Sequence, residues 1–544
     1  MKHTIISGIM LLACLSVFAT GWEWALNIGS GGNERAWDLA TDTDANIFVT
    51  GSFTDSMAVG SDTLYCAGVS DIFVLKCSAS GQILWAQSFG GSSEDVALSI
   101  DTDPTGNCYV TGYFNEHMQV GDSTLYSNGS WDIFVIKLSP IGDVIFGQSF
   151  GGASNDIGYG ISCAADRIFV TGWFGETMQL SAGLSLQSFG GSDIYVAALD
   201  SAGNVLWGQS AGTEGVDYGY KIANDGLGSS YITGVCSNTT AFGTFLLPGT
   251  GAFVAKYDLN GNFQWANRGE NAGVNSISVR DGRGMLTGRI SGSAQFGEFS
   301  LNSIAGSDDI YNAGFDAISG EWQYAQSAGG EDSDRGRACY IGDYSVSTGS
   351  YSATSNLFGI PNQIANGAYD IYIYVDDRYN PTWDLAQRLI TVGGSENDVA
   401  TDIVLTPDIV ICGWFGGSCS FGEFTLDTGN GANANMFVAK YAMPGTAVDD
   451  VLPEVVSQVT FPNPFRPHHS IRYELSKNAK VNLRIYNLRG QIVRNLIDQQ
   501  QAGGNHQIAW DARDNKGKAL NSGMYIMQLQ IDGIVTNRKL LLYK

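Results

Sequence analysis

Histidine is almost absent from the long first part of this chain. Of its five histidines, His3 stands near the start, His468, His469 and His506 near the end, and only His117 lies between. A Ser-His-Asp triad or a histidine-rich metal site needs imidazole to move protons or bind an ion, so neither has raw material there. GxSxG, HExxH and a phosphate-cradling Gly-Lys loop are missing as well. Carboxylates are plentiful. Glu34, Asp95, Asp156, Asp217, Asp332 and Glu396 follow Gly-Gly turns at similar places, with Asn271 in the fifth unit. Such a ring could hold a cation or a cationic group, but Asp and Asn also accept backbone N–H groups in turns, which explains the repetition by itself. Asp42-Thr43-Asp44-Ala45-Asn46 and Asp101-Thr102-Asp103 resemble the start of a calcium loop, yet no Gly stands at the sixth position and no Glu at the twelfth, so turns are expected. No cofactor is expected, with calcium as the alternative. A carboxylate pair for glycoside hydrolysis is recognisable only by geometry.

Aromatic residues are the other candidates. Tyr113, Phe114, Trp131, Trp173, Phe174, Tyr351, Tyr369, Trp414 and Phe415 begin or end segments that differ between repeat units. Those segments are 53–70, 114–131, 174–192, 236–250, 290–307, 351–369 and 415–434. Flat rings suit sugars or peptide side chains, and variable loops on a rigid scaffold are where binding usually resides. Packing between units is the competing use. Trp131, Trp173, Tyr351, Tyr369, Trp414, Asp95, Asp156 and Asp217 are therefore the candidate ligand-binding residues.

The elements that position these residues follow from one repeated pair. Thr50-Gly51, Thr111-Gly112, Thr171-Gly172, Thr233-Gly234, Thr287-Gly288, Thr348-Gly349 and Cys412-Gly413 each end an apolar run, at intervals of 61, 60, 62, 54, 61 and 64 residues. That spacing accommodates a four-stranded unit, and seven copies imply a closed ring: an all-β, seven-bladed β-propeller. The second copy shows the order of parts. A Gly-Gly turn leads into strand 96–101, an Asp-Pro-Thr-Gly-Asn turn, strand 108–114, the variable stretch, Asp132-Ile133-Phe134, and a strand containing Phe146. Fourth strands hold Trp85, Phe146, Trp207, Trp265, Tyr324 and Trp383, and the seventh unit lacks one. Residues 22–29, which resemble the other fourth strands, should supply it by pairing with 435–441 and so remove the exposed edges.

Residues 1–21 read as a signal peptide, an apolar run behind Lys2 and His3. Val17-Phe18-Ala19 suits ordinary cleavage, while Leu11-Leu12-Ala13-Cys14 resembles a lipoprotein box. No other run is long and apolar enough to span a bilayer. Eight further cysteines, with no CxxC, read as small buried residues, and Cys412 and Cys419 are close enough in sequence to bridge. Charge divides the chain. Residues 454–544 carry 13 basic and 6 acidic side chains, leaving 16 basic and 48 acidic in 1–453, a balance of −32 there. An acidic propeller argues against nucleic acid and against docking on an anionic membrane.

The tail has six strand-like runs, with alternation in Val481, Leu483, Ile485 and in Tyr525, Met527, Leu529, Ile531, which predicts a small Ig-like β-sandwich. Phe461-Pro462-Asn463-Pro464-Phe465, Ile485-Tyr486-Asn487-Leu488-Arg489-Gly490, Trp510-Asp511-Ala512-Arg513-Asp514, Ser522-Gly523-Met524-Tyr525 and the closing Lys539-Leu540-Leu541-Leu542-Tyr543-Lys544 resemble a type A C-terminal sorting domain of the type IX (Por) secretion system. They are also similar to the Ig-like domain of flagellar hook-capping proteins. The resemblance implies export across an outer membrane to the cell surface or beyond. Residues 22–443 resemble, more loosely, a bacterial family of seven-bladed propeller repeats. The domain reading is 1–21 signal peptide, 22–445 propeller, 446–458 linker and 459–544 sorting domain. A monomeric, non-enzymatic module that binds an extracellular protein or glycan is expected, with the type IX machinery as partner through 459–544 and no nucleic-acid partner. The alternatives are a carboxylate-dependent glycoside hydrolase or lyase, and a structural surface-layer component.

Overall fold

The computed structural model describes residues 21–30, 32–164, 166–376, 378, 389–429, 434–443, 470–475, 478–487, 492–521, 523–531 and 534–542. The signal segment up to residue 20, Trp383, the 446–458 linker, Phe461 to Phe465, Leu488 to Gly490, Ser522 and the last two residues lie outside that set. The chain divides into two compact units between Pro444 and Gly445.

Among the described residues of the first unit, the ladders form seven four-stranded antiparallel blades. Blade 1 runs outward through Arg35–Thr41, Ile47–Phe53, Asp71–Cys77 and Ile83–Phe89. The innermost strands of blades 2 to 4 are Val96–Thr102, Asp156–Cys163 and Asp217–Asn224. Those of blades 6 and 7 are Arg335–Ile341 and Asp398–Thr406. Blade 5 shares one long strand, Phe263–Arg280, with blade 4, because no Gly-Gly turn breaks the chain there; Asn271, at φ 56°, bends it instead. Gly21–Ile28 pairs with Asn435–Ala442 as the outer strand of blade 7, with Leu26 opposite Val438. The inner strands also meet at the seam. The Leu39 N–H donates to Asp402 Oδ2 at 2.9 Å and the Thr401 hydroxyl to the Ala36 carbonyl at 2.9 Å, so the first and last blades are joined inside as well as outside.

Each recurrent residue has a mechanical reason. The Thr of the Thr-Gly pair donates its hydroxyl to the carbonyl of the third-strand aromatic, as Thr50 does to Phe73 and Thr171 to Tyr195, over 2.5 to 2.9 Å in six blades. The third-strand Asp accepts an N–H from the segment before it, Asp71 from Ala67 at 2.9 Å and Asp132 from Asn128 at 3.0 Å. The Gly-Gly turn then fits two obstacles. A Cβ on Gly90 would stand 2.2 Å from the Asp71 carboxyl carbon, and one on Gly91 would stand 1.9 Å from the His117 carbonyl oxygen. Fourth-strand tryptophans reach the turn of the following blade, Trp85 Nε1 donating to the Pro140 carbonyl at 3.1 Å and Trp207 to Leu259 at 3.1 Å. Between blades lie fully buried rings such as Phe48, Phe73, Phe114 and Phe134, each contributing roughly 1.5–3 kcal/mol of burial.

The variable segments are hairpins rather than open loops. Ser56–Val59 folds onto Asp62–Tyr65, and Ser418–Phe421 onto Phe424–Asp427. Several lie against the preceding blade: Gly90 bridges Gln119, Gly212 pairs with Ala241, Gly329 with Asn356 and Gly393 with Ser420. These straps tie neighbouring blades together.

All eight described cysteines are free thiols and six are buried. The Cys412–Cys419 bridge does not form. Cys412 packs with Val49 and Val438, whereas Cys419 packs with Phe421 and Phe437 in a separate apolar cluster.

The second unit has six described strands, Ser470–Leu475, Ala479–Tyr486, Ile492–Gln501, Gly504–Ala509, Gly523–Ile531 and Ile534–Leu542, in a two-stranded and a four-stranded sheet. Val481, Leu483, Ile485, Met527 and Leu529 fill its core around Trp510, whose indole donates to the Arg513 carbonyl at 3.1 Å.

Candidate functional site

Every innermost strand carries a β-bulge at the same place. Pairing with the second strand slips across Ala36/Asp38, Ala97/Ser99, Gly158/Gly160, Gly219/Lys221, Val274/Ser276, Gly336/Ala338 and Ala400/Asp402. A bulge kinks its strand and re-aims the extra side chain. The seven extra residues are Trp37, Leu98, Tyr159, Tyr220, Asn275, Arg337 and Thr401, and all seven line one axial pocket of about 520 Å³. The bulge also accounts for the repeated glycine: the strand swings its carbonyl into the space that a Cβ on Gly51, Gly172 or Gly413 would fill.

The pocket opens towards the face that carries the hairpins and the Gly-Gly turns, since Val235 and Arg289 near the ends of second strands complete it. An aromatic wall spans blades 3 and 4. The Tyr159 and Tyr220 rings meet edge to face at 5.3 Å, Tyr218 stacks on Tyr220 at 6.1 Å, and Trp173 lies 5.3 Å from Tyr218. Cations stand on blades 5 and 6. Asp308 pairs with Arg289 at 2.8 Å and with Arg335 at 3.2 Å, whereas Arg337 has neither a carboxylate nor a hydrogen-bond partner among the described residues. Burial and the nearby Arg335 and Arg289 charges pull the Arg337 guanidinium below its ordinary pKa.

A polar tier forms the floor. Lys221 of blade 4 reaches Asp38 of blade 1 at 2.5 Å, and Asp38 also accepts the Ser99 hydroxyl at 2.6 Å and the Ile100 N–H at 2.8 Å. Asp402 lies beside them, its carboxyl pushed well up by burial and by the Asp38 charge. These carboxylates are spent on backbone donors and on Lys221. No Asp or Glu is among the residues that line the pocket itself.

None of the eight candidates named from the sequence lines this pocket. Trp173 buttresses its aromatic wall, and Tyr369 lies close enough to Arg337 to act on its charge. Trp131 stands against Tyr113 at 5.1 Å, and Trp414 lies under the Arg35 guanidinium at 5.0 Å. Tyr351 is buried at 2% exposure with Ile310, Leu357 and Tyr372, so it presents no face to a ligand. Asp95, Asp156 and Asp217 are fully buried brackets. Asp95 accepts the Gly91 and Asn115 N–H groups, Asp156 those of Gly152 and Gly175, and Asp217 those of Thr213 and Ser237. Desolvation raises the Asp95 and Asp156 carboxyls to about 7. In blades 6 and 7 the bracket is two residues later than expected: Asp334 and Asp398 take the Gly330 and Gly394 N–H groups, and Asp332 and Glu396 are exposed. Asp42 and Asp103 close turns with Asn46 and Asn107, using their oxygens on local donors.

The bulged residues escaped the sequence reading although a signal existed. Each stands 12 to 14 residues before the repeated Gly, among small neighbours such as Ala36, Gly158, Gly219 and Ala400, and its type changes from blade to blade.

The fold and this mouth define a β-propeller with an axial pocket, followed by an Ig-like domain. Residues 468–532 match the FlgD Ig-like domain family. Over 248 residues the chain is 26% identical to an uncharacterized WD repeat-containing protein, L264, of Acanthamoeba polyphaga mimivirus, a match covering 38% of this chain and 18% of that protein. Over 144 residues it is 26% identical to the regulatory protein FlaEY of Caulobacter vibrioides, covering 24% of this chain and 15% of that one. The chain thus spans less than a fifth of the length of either relative. Among solved structures, the Neurospora crassa Pan2 WD40 domain is similar at TM-score 0.40 and 11% identity, covering 75% of this chain and 89% of that one.

Proposed function

We propose that this chain is a secreted, surface-displayed binding propeller whose ligand, an extracellular protein or glycan, seats in the axial mouth. Its C-terminal domain acts as a sorting signal for type IX export. The mouth carries this reading: seven bulges built by the same backbone device present seven side chains of six types, so the scaffold is repeated while the lining is individual. Repetition is what stability requires, and divergence at one inward position is what a specific pocket requires. A lining without carboxylates favours holding a ligand over the paired-carboxylate hydrolysis of glycosides.

One experiment in the native host tests both halves. The full chain and a form lacking 459–544 are located in periplasm and medium, and the exported full chain is screened against polysaccharides and secreted proteins with product analysis. Saturable binding without products is expected, weakened about tenfold by Trp37→Ala. Turnover would replace this reading with the hydrolase, and absence of binding with a surface-layer role. Normal export of the truncated form would overturn the sorting role.

A further inference from the structure

Residues 1–453 hold only 16 basic side chains against 48 acidic ones, yet Lys221, Arg289, Arg335 and Arg337 all line the axial pocket, and no acid is among its described lining residues. Three of the four have partners: Lys221 has Asp38, and Asp308 holds Arg289 and Arg335. Arg337 stands on the bulge of blade 6 with its Nε buried and unpaired, beside the Arg335 and Arg289 charges. Leaving a guanidinium in this state costs stability, and a bound anion would recover it, because a carboxylate accepts two parallel N–H bonds from the planar fork.

Resting on the binding role proposed above, we infer that the mouth recognises an acidic sugar, a pyranose ring bearing a carboxylate, with the carboxylate on Arg337 and a ring face against Tyr220, Tyr159 or Trp37. Aromatic planes match the C–H faces of a pyranose, and a pocket of about 520 Å³ encloses a short oligosaccharide end. An extended acidic peptide fits less well. Strand addition needs an uninterrupted edge, and every inner strand is broken by its bulge at the level of the pocket. The Lys221–Asp38 ion pair joins blade 4 to blade 1, in the path of a chain that would thread the axis.

The test is calorimetry on the full chain with trigalacturonate, neutral galactotriose and a hexaglutamate peptide. Trigalacturonate is expected to bind saturably, more weakly as salt rises from 50 to 500 mM, a change that shortens the Debye length from about 14 to about 4 Å. Arg337→Gln should lower that affinity about ten- to a hundredfold at a melting temperature equal to or above that of the natural chain, and Arg337→Lys should recover part of it. If Arg337→Gln does not fold, the salt dependence of the natural chain and the same titration on Tyr220→Ala decide. Galactotriose binding as tightly, with loss in Trp37→Ala, would overturn the acidic-sugar assignment and leave the mouth as the binding site. Hexaglutamate binding more tightly than trigalacturonate would move the ligand class to acidic protein. Failure of all three probes, in a chain that binds some other ligand undisturbed by Trp37→Ala, would overturn the mouth itself.

Discussion

A Cβ atom on Gly51 would stand 1.9 Å from the carbonyl oxygen of Arg35. Gly51 pairs with Ala36, the residue after Arg35, across the first and second strands of blade 1, where the bulge at Trp37 swings the inner backbone towards its neighbour. The repeated glycine and the pocket-lining side chain are thus two consequences of one kink.

Gly51→Ala tests that coupling. Backbone cannot move aside as a flexible side chain does, so the bulge must be flattened or the strands parted. A loss of about 1–3 kcal/mol is expected, with Trp37 displaced. Gly183→Ala is the control, because nothing lies within 4 Å of its Cβ and its backbone is unstrained. Urea unfolding and tryptophan fluorescence provide the readouts, and equal stability of the two variants would sever the link between glycine and bulge.

Acidification should stabilise the propeller over part of the pH range. Desolvation raises Glu34, Asp95, Asp156 and Asp398 to about 7, and Asp132, Asp193 and Asp334 to about 6. In the unfolded chain these groups titrate near 4. Between these limits the folded state binds more protons, so stability is highest below about pH 4 to 5 for these groups and is lost as pH rises through 6 and 7. The melting temperature is expected to be higher at pH 5 than at pH 8, and Asp95→Asn with Asp156→Asn should flatten the dependence. A midpoint that falls steadily from pH 8 to pH 5 would contradict the assignment.

The blades were legible in the sequence because their signals are backbone constraints. A hydroxyl must reach the Phe73 or Tyr195 carbonyl, and a glycine must clear Asp71 or Arg35. Constraints of this kind recur with the backbone and so appear as repeats. The site was not legible in the same way. Trp37, Leu98, Tyr220 and Arg337 occupy one structural position with unlike chemistry, so similarity between units conceals them. The acidic ring misled in the opposite sense: Asp95 and Asp156 repeat because they bracket turns, and Glu331-Asp332-Ser333-Asp334 offered three acids of which only the last, buried one does that work. Trp173 stands one residue after its Gly and Tyr351 two after its own, so strand alternation turns the first towards the aromatic wall of the mouth and the second, like Phe174, to the core.

Ring closure rests on a strand far from its partner in sequence. Gly21–Ile28 lies beside Asn435–Ala442, with Glu23 reaching Lys440 at 2.9 Å, Trp22 against Phe421 at 4.9 Å and Trp24 donating to the Ala79 carbonyl at 3.2 Å. Deleting residues 21–28 leaves the outer edge of Asn435–Ala442 unpaired and uncovers the Phe421 side of its core, a loss of about 5 kcal/mol or more from hydrogen bonds and burial together. The exposed edge is also a template for intermolecular pairing. A lower melting temperature with concentration-dependent association is expected in the deletion variant. Adding the missing strand as a synthetic peptide should restore the midpoint, because the inner seam of Leu39 and Asp402 still holds the first and last blades in register. An unchanged midpoint in the deletion would mean that the inner seam alone closes the ring.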